Sequence, residues 1–252
     1  MLDGRDAMAE AIIETYETTS STMDDARRLA AEWSARGTRL PDWSAVVARE
    51  QTAGRGRVAG RRWIAARGSA LLCTLALPFD AGLAPGFPIR VGLSVARAIS
   101  RFAPEGSAPH GIRLKWPNDV LIARRKVAGI LCERDASRTY VGMGVNLLRD
   151  AAPPELREMA SSLEAEFAVA PEPIELLEAI RAELARALAL ATWREEAEAM
   201  LAFRGERIRA TAGAAGAGRL VDGVALGLDE EGRLLVDTGS GLERLSAGEL
   251  HA

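Results

Sequence analysis

Apolar and polar positions along the chain repeat with period two in several short stretches and with a helical period in a few longer ones, which predicts a mixed α and β protein. Residues 12–18 (IIETYET) alternate as a strand. TSSTMDDARRLAAEWSARG then reads as a helix, with Ser21 or Thr22 as N-cap, Asp24 and Asp25 in the first turn and Gly37 after the last. Residues 44–51 (SAVVAREQ) and 69–77 (SALLCTLAL) are strand candidates, separated by a Gly/Arg-rich loop at 52–62. In 87–103, Ile89, Leu93, Ala96 and Ile99 form one helical face. Residues 112–147 predict a meander of strands joined by Pro-Asn-Asp, Arg-Arg and Asp-Ala-Ser turns. The Ala/Pro/Glu-rich stretch 150–173 has room for one short helix near SSLEAEF, and Ile174–Leu201 predicts a long helix with Leu177, Ile180, Leu184, Leu188 and Ala191 on one face. From Gly205 to Leu250 short strands alternate with Gly-rich turns, the pattern of a small β-barrel.

With 252 residues, 48% hydrophobic and 27% charged, the chain can bury a substantial core. No apolar run reaches membrane-spanning length, and the first residues, MLDGRDAMAE, have no secretory pattern, so a cytoplasmic protein is expected. A net charge of -3 argues against bulk attraction to DNA or to an anionic membrane. Cys73 and Cys132 sit in apolar runs without partner spacing, which argues against a disulfide framework or a Cys-rich zinc site. His110 and His251 are too few for a His-based metal site or a Ser/His/Asp arrangement, and Trp33, Trp43 and Trp193 read as packing residues.

The composition carries a sharper signal. Of 32 Lys+Arg, 30 are arginine and only Lys115 and Lys126 are lysine; Asn118 and Asn146 are the two asparagines and Gln51 the single glutamine. In a chain that uses Arg, Ala and Gly so freely, these five mark places where a compact ammonium or a two-faced amide is hard to replace. They all fall between residues 51 and 146. The segment QTAGRGRVAGRRW (51–63) sets Gly54, Gly56 and Gly60 among Arg55, Arg57, Arg61 and Arg62. It reads either as a solvated surface loop or as an anion cradle, in which main-chain N–H groups approach closely and guanidinium forks bind phosphate or carboxylate. It lacks the Gly-Lys-Ser/Thr ending of a Walker loop. In LKWPNDVLIARRKVAGILCE (114–133), Lys126 precedes small residues at which a ligand can lie against the backbone of Gly129 and Ile130. Pro117-Asn118-Asp119 fits a plain turn. Asn146, after Gly142 and Gly144, is either a turn residue or a reader of adenine N7 and N6.

In order, SSTMDDA (20–26), EQTAGRGR (50–57) with GRRW (60–63), KWPND (115–119), KVAGILCE (126–133) and GMGVN (142–146) resemble the biotin protein ligase family, and 205–250 resembles its C-terminal domain. The resemblance implies an α+β fold: a mixed sheet with flanking helices, of the class II aminoacyl-tRNA synthetase-like or biotin–lipoate ligase type, plus a small C-terminal SH3-like β-barrel. Residues 1–203 would form the catalytic biotin/ATP-binding domain and 204–252 the SH3-like domain. The implied reaction uses biotin and ATP with Mg²⁺. Biotinyl-5′-AMP forms first, and the biotinyl group then passes to a lysine of a biotin carboxyl carrier protein or carboxylase domain. Such a step brings two anions together and calls for a cationic clamp. The resemblance assigns Lys126, Arg55, Arg57 and Asp119 to catalysis: Lys126 at the carboxylate–phosphate junction, the arginines in a loop folding over the intermediate, and Asp119 orienting the acceptor lysine. Ser21, Thr22, Met23, Gln51, Gly129 and Ile130 would bind biotin. Arg55, Gly56, Arg57, Trp63, Lys126 and Asn146 would bind ATP and the adenylate.

Met23 stands where the family commonly has Asn, Ala70 where Asn is frequent, and the Arg57-to-Trp63 stretch is one residue longer through Val58-Ala59, which leaves the alignment of Arg61 open. With about a dozen residues ahead of the first strand, a ligase without an N-terminal DNA-binding domain is expected; a homodimer is left open. The competing expectations are a lipoate or octanoate ligase on the same fold, and a non-catalytic biotin-binding sensor.

Overall fold

A computed structural model describes residues 10–58, 60–104, 111–213 and 218–251. His110 and Ala59 lie outside the described residues. Strand β1 (Ile13–Tyr16) leads into helix α1 (Thr22–Ala35), followed by β2 (Ser44–Ala48), β3 (Ala70–Pro78) and helix α2 (Phe87–Ser100). The meander then comprises β4 (Ile112–Lys115), β5 (Asp119–Ile122), β6 (Arg125–Arg134) and β7 (Arg138–Asn146). These strands form one seven-stranded sheet in the order β1-β2-β3-β7-β6-β5-β4, with β1 and β2 parallel and every other neighbouring pair antiparallel. The expected mixed sheet with flanking helices is therefore present. The β5–β6 reversal is a two-residue turn in which Ala123 and Arg124 both take positive φ, one residue earlier than the Arg-Arg pair suggested.

Alternation along β3 decides which helix covers which face. Leu71, Cys73, Leu75 and Leu77 enter the larger core, shared with α2 and with α4 (Pro173–Ala189), while Ala76 joins Met23, Ala26 and Leu29 of α1 in a smaller one. Between β7 and α4 lies the short helix α3 (Leu163–Phe167), near the expected place, its Ser162 side chain accepting from the Ala165 N–H.

The long helix expected over Ile174–Leu201 is instead two, α4 and α5 (Trp193–Met200), broken at 190–192. The reason lies on another element. The buried Arg90 of α2 donates to the carbonyls of Ala187 and Leu190 and stacks over the Trp193 ring, with its Cζ 4.7 Å from the centroid. A guanidinium from a neighbouring helix thus donates to carbonyls at the end of α4, where Ala187 O also takes the Leu190 N–H (3.4 Å).

The C-terminal segment forms a five-stranded antiparallel sheet from β8 (Arg207–Ala212), β9 (Arg219–Leu228), β10 (Leu234–Asp237), β11 (Leu242–Leu245) and β12 (Gly248–His251), in the order β11-β10-β9-β8-β12. Its ladder runs from β11 to β12, and no pairing between these two ends is present among the described residues. The sheet is joined to the larger one by a hydrogen bond from the Ala202 N–H to Leu114 O (2.8 Å) and one from Trp116 Nε1 to Gly232 O (3.2 Å).

Candidate active site

The pleat that sends Leu71, Cys73, Val141 and Met143 into the core turns Thr74, Gly142 and Gly144 to the face covered by α1. Register places Gly144 beside Gly129 of β6, and Gly142 between Thr74 and Leu131. Three glycines therefore leave a trough where side chains would otherwise stand. A Cβ at Gly142 would lie 3.0 Å from Met23 Cε; one at Gly129 would lie 2.8 Å from Trp63 Cζ3; one at Gly144 would collide with the Trp63 indole. This trough is a cleft of about 530 Å³ out to its open mouth.

One end of the cleft is polar and neutral. Ser21 precedes α1 without a side-chain cap bond and lines the cleft instead. The Thr22 N–H donates to Gln51 Oε1 (2.8 Å), so the amide of Gln51 satisfies a donor at the start of the helix. Thr22 Oγ1 also reaches Gln51 Oε1 (3.1 Å) and Thr74 Oγ1 (2.9 Å).

The other end is cationic. The loop after Gln51 folds back on itself, with hydrogen bonds from the Gly56 N–H to Arg61 O (2.9 Å) and from the Trp63 N–H to Gly54 O (3.0 Å). These bonds bring Gly56, Arg57 and Trp63 to the cleft wall. Arg55 forms an ion pair with Asp24 (2.7 Å), which raises the guanidinium above its ordinary pKa and holds the Asp24 carboxyl below the usual carboxylate value. Arg57 donates from Nε to Asn118 Oδ1 (3.1 Å) and from Nη2 to the Gly248 carbonyl of β12. Burial lowers its pKa, but from so high a value that it stays charged. Arg61 pairs with Glu249 of β12. Trp63 lies over Gly129 and Gly144 with its indole N–H buried and without a hydrogen-bond partner. Lys126 Nζ stands 5.5 Å from the centre of the Trp63 ring. It is 2.7 Å from Asp119 Oδ1, in an ion pair lying off the hydrogen-bonding direction.

Gly56, Arg57, Trp63, Asn118 and Lys126 also wall a second, adjoining cleft with Arg61, Arg62, Lys115, Asp119 and Glu249. Burial pulls the Lys115 pKa below the usual lysine value, Asp119 opposes the shift, and Lys126 adds to it. One continuous depression thus runs from a neutral hydrogen-bonding end, past Lys126, to a strongly cationic end.

Of the residues expected from sequence, Ser21, Thr22, Met23, Gln51, Arg55, Gly56, Arg57, Trp63, Lys126, Gly129 and Ile130 line the first cleft and Asp119 the second. Asn146 does not line either. It is buried, and its Nδ2 donates to Ser161 O (2.9 Å). Thr74 and Asn118 belong to the site and were not expected there. Asn118 bonds Ile130 through both its side chain and its backbone (3.0 and 2.9 Å) and receives Arg57, so the Pro-Asn-Asp turn ties the cationic loop to β6. The scarcity of asparagine had marked the position, while its turn chemistry concealed it. Thr74 has no signal in a run of apolar residues.

A neutral polar end, a central ammonium and an arginine-rich end define a site suited to an acid-activating ligase that uses a nucleotide. Residues 16–149 match the biotin/lipoate A/B protein ligase family, and residues 205–250 match the biotin protein ligase C-terminal domain. The chain belongs to the biotin/lipoate A/B protein ligase family. It is 33% identical, over 83% of its length and 79% of the relative's, to the biotin–[acetyl-CoA-carboxylase] ligase of Mycobacterium tuberculosis. It is 30% identical to the bifunctional ligase/repressor BirA of Bacillus spizizenii, over 93% of this chain and 72% of that protein. Biotin protein ligase from Aquifex aeolicus, solved with biotin and ATP, superposes with a TM-score of 0.79 at 26% identity, covering 95% of this chain and 97% of the other.

Proposed function

We propose that this protein is a biotin–[acetyl-CoA-carboxylase] ligase. A carboxylate oxygen of biotin attacks the α-phosphorus of ATP, the bond to pyrophosphate breaks, and biotinyl-5′-AMP forms. The amine of an acceptor lysine on a carboxyl carrier protein or domain then attacks the acyl carbon, and AMP leaves. The observation that carries this reading is the order of groups along the depression. Ser21, Thr22, Gln51 and Thr74 offer donors and acceptors to a ureido ring at the neutral end, and the cations gather where the triphosphate must lie. The same quartet favours biotin over lipoate or octanoate, whose far ends are apolar. Retention of Lys126, Arg55 and Arg57 at the cleft favours an enzyme over a sensor.

In this reading, Met23, Gly129 and Ile130 flank the biotin. Lys126 offers its ammonium to the reacting carboxylate and α-phosphate, where a compact charge with movable donors suits both. Arg55, Gly56 and Arg57 cover the adenylate, Trp63 packs against the adenine, and Asn146, two residues along β7 from Gly144 though outside the lining of both clefts, is the reader of the base. Asp119, already paired with Lys126, orients the incoming lysine. Mg²⁺ enters as the companion of the ATP phosphates; among the described residues no cluster of three His, Cys, Asp or Glu side chains could hold a metal by itself. Residues 1–203 act as the catalytic domain. Residues 204–252 form an SH3-like domain whose last strand walls the phosphate end through Glu249 and Leu250. The setting is the cytoplasm, acting on a carrier domain without DNA or membrane.

The test is pyrophosphate release with ATP and Mg²⁺ in the presence of biotin, lipoate, octanoate or no acid. Release with biotin alone is expected. Release with lipoate or octanoate moves the protein to the sister activity, and biotin binding without release makes it a sensor.

A further inference from the structure

Beyond Asn146 the chain leaves the sheet, and residues 159–161 take the place of β7 beside β6, running parallel to it. They meet Lys126 at the point where the β5–β6 register shifts. The Lys126 N–H donates to Met159 O (2.8 Å) and the Ser161 N–H donates to Lys126 O (2.9 Å), so the main chain carrying the central ammonium is held by this segment. The Ser161 carbonyl, in turn, accepts the buried Nδ2 of Asn146 (2.9 Å). One residue therefore grips both Lys126 and Asn146, and its own side chain is fixed from α3. Ser161 Oγ donates to Glu166 Oε1, the same oxygen that takes Arg125 Nη2 at 2.6 Å. The Glu166 side chain is only 12% exposed, while that of Arg125, the residue just before Lys126, is 42% exposed.

From this geometry we propose that Glu166 is a positioning residue for the reaction: by clamping Ser161 and Arg125 to one carboxylate oxygen, it sets Lys126 and Asn146 relative to each other. It touches neither cleft and acts only through these two residues. Without it, a hydroxyl and a guanidinium lose their shared acceptor and the segment 159–161 is held at Lys126 by main-chain bonds alone. The displacement falls on the reacting ammonium and the base-reading amide together, whereas Thr22, Gln51 and Thr74, on other elements, keep their arrangement.

The inference rests on the ligase reading, and the experiment separates the two. Biotin affinity and, with biotin present, affinity for α,β-methylene-ATP are measured by calorimetry, alongside kcat and KM for ATP in biotin-dependent pyrophosphate release. The proteins are wild type, Glu166→Ala, Glu166→Gln and Ser161→Ala. Glu166→Ala is expected to bind the ATP analogue about tenfold more weakly and to lose about tenfold in kcat, with biotin affinity unchanged, since a small misplacement of reacting groups suffices for that. Ser161→Ala follows it in direction. Glu166→Gln, which keeps the acceptor oxygen, stays within about threefold of wild type. Unchanged analogue affinity in Glu166→Ala, an equal loss of biotin affinity, or no rescue by Gln overturns the proposal. If the wild type releases no pyrophosphate the ligase reading falls, and the analogue affinities of the variants still decide the role of Glu166.

Discussion

Arg55 and Asp24 face each other through two parallel hydrogen bonds, Nη1 to Oδ2 at 2.7 Å and Nη2 to Oδ1 at 2.8 Å. The pair joins the cationic loop to the first turn of α1, where a carboxylate is also favoured by the helix N-terminus. Asp24 is held below its ordinary pKa, first by the bond from Arg55. The contribution of the pair is therefore complete above the usual carboxylate value of 3.8 and is lost as pH falls through the depressed one. Both partners are largely exposed, so the pair orders the loop more than it stabilises the fold. In ligand-free protein, Asp24→Asn is expected to speed tryptic cleavage at Arg55, Arg57, Arg61 and Arg62 with little change in melting temperature. Biotin with ATP should restore wild-type resistance. Equal cleavage of the two free proteins would show that the loop is held elsewhere.

Lys126 has a different kind of partner, since Asp119 pairs with it inside the depression and Trp63 covers it. Such an ammonium is worth most when negative charge gathers in the transition state. Lys126→Ala is expected to lose adenylate formation by about 10²- to 10³-fold while biotin still binds. Lys126→Arg should also be impaired, because a fork replaces a compact charge already close to Gly129, where a Cβ would stand 3.1 Å from Nζ. Rapid pyrophosphate release by Lys126→Ala would remove the residue from the chemistry.

Arg57 holds the loop to Asn118 on one side and to β12 on the other. Arg57→Gly removes both bonds and adds backbone freedom, so the loop should open over bound adenylate. The expected outcome is faster escape of activated biotin and labelling of bystander lysines, read by streptavidin blot against wild type. An adenylate retained as long as in the wild type would mean that other contacts close the site.

Much of the lining of the candidate cleft was legible in the sequence. A short apolar run located β3 and turn signals located the meander, and scarcity of Lys, Asn and Gln in an arginine-rich chain drew attention to Gln51, Lys115, Asn118, Lys126 and Asn146. What stayed hidden depends on residues far apart in sequence. No local pattern announces that Arg90 reaches the end of α4 through the Ala187 and Leu190 carbonyls, or that Arg61 finds Glu249 across the molecule. Asn146 has the residue type of a base reader, yet a bond to Ser161 in a segment without clear periodicity decides which way its amide faces. Thr74 looks like one more member of an apolar strand until the register sets it beside Gly142.

Lys115 yields a prediction in pH. Burial lowers its pKa, and the proton is lost at a pH below the lysine value of 10.5. The folded state binds that proton less readily than the unfolded chain, so this group favours folding more as pH rises through the lowered value. Its positive charge at the phosphate end is lost over the same range. KM for ATP is expected to climb on the alkaline side below pH 10.5. Lys115→Arg should have a poorer KM near neutrality, from its altered shape, but a flatter alkaline limb, because a guanidinium keeps its proton. Parallel profiles for the two proteins would take Lys115 out of nucleotide binding.

Gly144 tests whether the space beneath Trp63 is the one the nucleotide uses. Gly144 lies in the interior of β7, paired on both sides, and its backbone is one that alanine adopts without strain. The three atoms nearest to a methyl there all belong to the indole: Cε2 collides, and Nε1 and Cδ2 would stand at 2.6 and 2.7 Å. Trp63 is half-buried on a loop, whereas β7 is fixed by two neighbours, so the ring gives way and the strand does not. Gly144→Ala should therefore unfold near the wild-type temperature, with any overpacking penalty at or below the low end of about 1–3 kcal/mol. Tryptophan emission should shift to the red as the indole meets water. If the adenine enters between the ring and the glycine floor, KM for ATP rises about tenfold while biotin affinity, which the proposed reading assigns to the end holding Thr22, Gln51 and Thr74, is kept. A red shift with unchanged KM would place the base elsewhere. An unchanged spectrum would mean that β7, and not Trp63, has yielded.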